Sequence, residues 1–191
     1  MPESPSIWNS LEVLKLIVSI LTPAIIGILG VRFNRRLKEL EHRQWTSQKV
    51  IEKRIQVYDS LVPHLNGIMC YFTYIGEWKD LTPPEVLKIK READKIAHIN
   101  APLFPDDFID SYNRFIEAGF RMFGKFGQDA KLRTDFQNRM PLLGEKWQTE
   151  WEQLFCEPDQ ITDRGEVRRL YNQTVAYMAK ALDLGLGSAP R

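Results

Sequence analysis

Apolar residues recur along most of this chain at helical spacing, with polar residues between them, but one segment has no polar face. Residues 16–31 (LIVSILTPAIIGILGV) contain no charged side chain across 16 positions and end at Arg32. Extended back to Leu11, the segment has 21 residues, or roughly 31 Å at 1.5 Å per residue, the thickness of a bilayer's hydrocarbon. The extension takes in Glu12 and Lys15, three apart on one helix face, where they can pair. Lys15 is also close enough to the end to snorkel. The run predicts a transmembrane helix over 11–31. A cleaved signal peptide wants positive charge ahead of its apolar run, and the leader MPESPSIWNS has none. A buried helix wants a polar stripe, which is missing from Leu16 to Val31.

After Val31 the amphipathic period returns. Leu37, Leu40, Gln44, Ser47, Ile51, Ile55, Tyr58 and Val62 follow a 3–4 spacing that predicts a juxtamembrane helical stalk over 32–62 with a bundle or coiled-coil seam. Pro63 predicts a kink or restart. A buried helix follows in HLNGIMCYFTYIGEW. Thr82-Pro83-Pro84-Glu85 predicts a helix start, with Val86, Ile89, Ala93 and Ile96 on one face to near Asn100. Asp106 and Asp107 suit another start, followed by the stripe Phe108, Tyr112, Phe115, Gly119 and Phe123. Leu132, Phe136, Met140, Leu143, Trp147, Trp151 and Phe155 predict a further helix, kinked at Pro141. Asp163 to Glu166 resembles a capping box and opens a helix marked by Val167, Leu170, Thr174, Met178 and Ala181, ending near Gly185. No segment alternates as a strand would.

The expected architecture is all-α: a loose N-terminus (1–10), a transmembrane helix (11–31), the basic stalk (32–62), a cytosolic bundle of about five helices (63–184) and a loose tail (185–191). Charge sets its orientation. Arg32, Arg35, Arg36, Lys38 and Arg43 follow the apolar run, while Lys15 is the one cation before it. Positive-inside logic puts the C-terminal domain in the cytoplasm and the N-terminus outside, with Trp8 at the outer interface. The stalk cations also favour anionic lipid. The lone cysteines Cys70 and Cys156 lack metal-ligand spacing and suit a reducing compartment.

Within the membrane segment Ser19, Pro23 and Gly27 recur every four residues, with Gly30 three later. Small residues on one face let helices approach, so this is a candidate oligomer or pore face. Pro23 frees a carbonyl, and an acid such as Glu12 near a bilayer favours a bundle interior or a watery path.

The net charge of +1 over 191 residues excludes a globally basic nucleic-acid binder, though not a local site. His42, His64 and His98 share no metal-binding spacing. There is no phosphate loop, no GxSxG and no DxD pair, so an enzyme is not expected, and neither is a cofactor. Asp106, Asp107 and Asp110 read as helix-start acids before a cation site. The most suggestive chemistry lies in GFRMFGKFGQDAKLR, which interleaves Phe120, Phe123 and Phe126 with Arg121, Lys125, Lys131 and Arg133. Cations attract phosphate and aromatic faces stack bases, the means by which single strands are held. The alternative is core phenylalanines under solvated cations. Arg168, Arg169 and Tyr171 form a second basic-aromatic group.

Two stretches, KRIQVYDSLVPHLNGIMCYFTYIGEW and NAPLFPDDFIDSYNRFI, resemble small bacterial single-pass proteins of anti-phage defence. The similarity covers most of 10–135 and is nearest to the membrane effector of Hailong-type systems. It implies an inner-membrane channel held silent by single-stranded oligonucleotides from a partner nucleotidyltransferase. The resemblance supplies no binding motif, so the aromatic-basic stretch is read from its residues alone. The expected function is an oligomeric effector that forms or gates a membrane path under ligand control. A membrane-tethered scaffold that recruits a protein partner without a pore is the alternative.

Overall fold

A computed structural model describes residues 10–122, 127 and 129–182. Side chains at 10–14, 16–28, 30, 39–44 and 46 lie outside that description. The chain divides into two units, Met1–Lys49 and Val50–Arg191.

Helix α1 (Ser10–Thr73) begins in the first unit and ends in the second. The backbone is helical through 16–31 and onward. Among the described residues no helix is long and apolar enough to cross a membrane. Apart from Lys15, Leu29 and Val31, the side chains of the expected span are outside them, including those of Glu12, Ser19, Pro23, Gly27 and Gly30. Lys15, Leu29 and residues 31–38 are exposed.

The helix does not restart at Pro63 but runs on to Thr73. Proline removes the bond to the carbonyl four residues back, here that of Asp59. Asp59 and Pro63 are both exposed. Water can satisfy the freed carbonyl on that side, so the helix continues.

The buried stripe of α1 also differs from the expected seam. Val57, Leu61, Leu65, Ile68 and Phe72 enter the core. Ile51, Tyr58 and Val62 are half-buried beside them, and Leu37, Ser47 and Ile55 are exposed. Leu40 and Gln44 lie outside the described side chains.

Three further long helices complete the core: α2 (Pro83–Asn100), α3 (Asp106–Gly119) and α5 (Arg164–Ala181). Their starts follow the local chemistry. At α2 the Glu85 carboxylate accepts from both the amide and the hydroxyl of Thr82, at 2.7 Å each. At α5 the Asp163 carboxylate accepts from the amides of Gly165 and Glu166 at 2.8 and 3.2 Å, satisfying donors that a helix start leaves open. The stripes pack as their period demands. Phe108, Tyr112 and Phe115 are fully buried, and α3 lies along α5, where Ser111 and Thr174 share a buried 3.0 Å hydrogen bond. Gly119 closes α3 against α1, since a Cβ there would sit 3.3 Å from the Phe72 ring.

The expected helix over 132–155 is not formed. In its place are the four-residue α4 (Met140–Leu143) and short 3-10 turns at Gly144–Lys146 and Thr149–Leu154. Among the described residues the bundle therefore has four long helices, counting the end of α1, and an irregular segment in place of the fifth. The 3–4 spacing of apolar residues there serves a ring cluster instead. Phe136 stacks on Trp147 at 6.2 Å and tilts against Phe155 at 5.6 Å, while Trp147 meets Trp151 edge-on at 5.6 Å. Two short strands also appear where none was expected, β1 (Phe120–Arg121) and β2 (Lys131–Leu132).

Candidate functional site

The two strands pair antiparallel, Phe120 opposite Leu132 and Arg121 opposite Lys131. Successive side chains in a strand face opposite ways. Phe120 and Leu132 take the inward face and are 1% and 0% exposed. Arg121 and Lys131 therefore share the other face, and Arg133, two residues past Lys131, falls in step with them. The ribbon is pinned on both sides. The Arg133 amide donates to Gly119 and the Cys156 amide to Leu132, both at 2.9 Å, and the Thr162 amide donates to the Arg133 carbonyl at 3.2 Å.

Like charges directly opposite one another weaken a strand pair. Here two cations face each other with a third beside them. No ion pair among the described residues includes Arg121, Lys131 or Arg133. Arg121 donates to the neutral amide of Gln160 at 2.8 Å. The Arg133 Nε is buried without a hydrogen-bond partner. Arg91 pairs with Asp129 near the start of β2. Beneath the ribbon the buried Lys90 lies 5.9 Å from the Phe120 ring and donates to Asp94 at 2.6 Å, and Asp94 also accepts from Tyr112 at 2.7 Å. Burial pushes the Cys156 thiol pKa up, an effect opposed by Arg121, Arg133 and Lys131 around it. The Cys156 amide bond to Leu132 seats the residue beside the same ribbon.

A face of three cations with no ion-pair partner among the described residues is suited to an anion. Its chemistry is attraction of phosphate or carboxylate oxygens. Of the residues singled out by sequence, Arg121, Lys131 and Arg133 come together. Phe120 does not join them, because its ring is enclosed, edge-on to Phe72 at 5.3 Å. Phe123, Lys125 and Phe126 lie outside the described residues. On α5, Arg169 bonds to Glu166 at 2.6 Å and Tyr171 to Asn66 at 3.5 Å. Sequence reasoning missed Gln160 and Cys156 as neighbours of the face. They reach it across more than twenty residues, and no local spacing marks them.

His64 and His98 are structural in their contacts, and the His42 side chain lies outside the described residues. His64 bridges the Ser60 carbonyl at 2.7 Å and Glu92 at 3.1 Å, joining α1 to α2, and His98 packs edge-on to Tyr112. Asp106 and Asp107 occupy the first turn of α3.

No protein-family model matches this chain, and neither a curated protein nor a solved structure is similar to it.

Proposed function

We propose that this chain is a non-enzymatic, membrane-anchored effector of bacterial anti-phage defence. In this reading it sits in the inner membrane as a homo-oligomer, with the second unit in the cytoplasm. Its membrane helices form or gate an ion path along Ser19, Pro23, Gly27 and Gly30. An anionic ligand, a single-stranded oligonucleotide made by a partner nucleotidyltransferase, holds it silent. The membrane part rests on the uncharged run at 16–31 and the cations that follow it. The ligand part rests on one observation: Arg121 stands opposite Lys131, with Arg133 beside them and, among the described residues, no carboxylate paired to any of the three.

The ligand arm is tested by titrating detergent-purified full-length protein with a labelled oligothymidylate at two salt concentrations. Replacing Arg121, Lys131 and Arg133 together with Gln should weaken binding at least tenfold and flatten the logarithmic salt slope by about two, as expected when three phosphate contacts are lost. Absence of binding by the wild type overturns the ligand arm. The membrane arm is tested separately by Gly27→Leu with Gly30→Leu, which should abolish toxicity in cells at unchanged expression. Undiminished toxicity removes the pore face. Survival of function after residues 1–31 are exchanged for an unrelated anchor would favour the scaffold.

A further inference from the structure

Helix α1 ends at Thr73, and the next residue, Tyr74, has φ +58°, the one non-glycine among the described residues in the left-handed region. The Ile75 amide returns to the Cys70 carbonyl at 3.1 Å, the closing bond of a cap that normally places glycine at this position. A tyrosine here works against its own backbone preference. Its side chain is what the position retains.

That side chain sits between cations. The guanidinium carbons of Arg139 and Arg164 lie 4.3 and 4.0 Å from the Tyr74 ring centroid, and Trp78 meets the ring edge-on at 4.7 Å. Arg139 is 1% exposed, yet no ion pair among the described residues includes it. It donates to the Tyr71 carbonyl at the end of α1 and to the Asp135 carbonyl, both at 2.7 Å, and to the Tyr74 hydroxyl. Its Nε and the nearby Tyr71 hydroxyl are both buried without partners. Burial pushes the Tyr71 pKa up to about 12, with Arg139 opposing, so the phenol stays neutral and supplies no counter-charge.

Backbone strain, an unpaired buried charge and two unsatisfied polar groups thus coincide at one helix end. Such concentrations mark an element built to change state more often than plain core. We propose that Tyr74, Arg139 and Arg164 form a conformational latch. Closed, it clamps the last turn of α1 to the 135–139 segment and to the first turn of α5. Open, it frees residues 70–80 while the pairing of α3 with α5 stays intact. The inference does not depend on the membrane or ligand reading.

The test is hydrogen exchange on the full-length protein in detergent, read in peptides covering 70–80 and in α3 as a control. Tyr74→Gly restores the residue that the backbone favours and removes the ring. It should speed exchange across 70–80 about tenfold, with α3 unchanged. Arg164→Met, at an exposed position that folding tolerates, should speed it severalfold. Slower or unchanged exchange in Tyr74→Gly shows a tolerated cap and overturns the latch. Unchanged exchange in Arg164→Met overturns the role of Arg164 and the link to α5.

Discussion

The long helices and the segment between α3 and α5 solve the same packing problem by different means. In α2, α3 and α5 each stripe is buried by its own period, and neighbouring contacts follow from one another. In the 120–163 segment no long helical stripe forms among the described residues. Short turns are held by single contacts, such as Cys156 to Leu132, Thr162 to Arg133 and Arg139 to Tyr71. A helix face spreads its stabilisation over many similar residues. The irregular segment concentrates it in a few polar bonds, leaving charged side chains free to serve another purpose.

The widest expected gap between the two regions lies in their aromatic residues. Phe115→Ala, at a fully buried site on α3, should cost about 3–5 kcal/mol in urea unfolding. Trp147→Phe should stay within about 1 kcal/mol, because Trp147 is half-buried and its indole N–H is a buried donor with no partner. An equal loss at both sites would erase the distinction. The α3 and α5 pairing can then be probed at Ser111 and Thr174. A double-mutant cycle with Ser111→Ala and Thr174→Val should return a coupling of about 1 kcal/mol, the worth of one buried hydrogen bond.

The hairpin should respond in the opposite sense. Arg121→Glu turns a repulsive cross-strand pair into an attractive one, and should raise stability by about 0.5 kcal/mol while weakening oligonucleotide binding. A destabilised Arg121→Glu would show that the cations do not repel. The smallest effect belongs to the α2 cap. Hydrogen bonds from Thr82 hold the Glu85 carboxyl below its usual range. A lowered carboxyl pKa stabilises the fold above the ordinary carboxylate range, and that contribution fades as pH falls through the lowered value. Glu85→Gln should therefore cost about half a kcal/mol at neutral pH, with the difference vanishing in acid. Equal stability curves from neutral pH to acid would remove the capping role of Glu85.

The starts of α2, α3 and α5 were readable because Thr82, Asp106 and Asp163 act within one turn of their own helices. Their buried stripes were readable for the same local reason. Pro63 does not restart the helix because its effect depends on which side of α1 meets water, and that is decided by partners far along the chain. The 132–155 stretch misled because aromatic rings at helical spacing can meet across turns as readily as along a helix. Pro141 and Gly144 in its middle were the available warning. At the candidate site the cations were visible by composition, but their register was not, since it depends on where Lys131 meets Arg121. The Arg139 cluster left no local signal, because Tyr71 is 68 residues away.

The opposition of Arg121 and Lys131 has a genetic consequence. In an unbiased selection for inactive variants, substitutions in the helical core should give little protein, because they damage folding. On the proposed reading, in which the bound anion silences the protein, substitutions at Arg121 or Lys131 should be missing from that set and appear instead among constitutively toxic variants with abundant, well-behaved protein, because each relieves a local repulsion. Sorting variants by toxicity and yield together would then draw the outline of the proposed ligand surface.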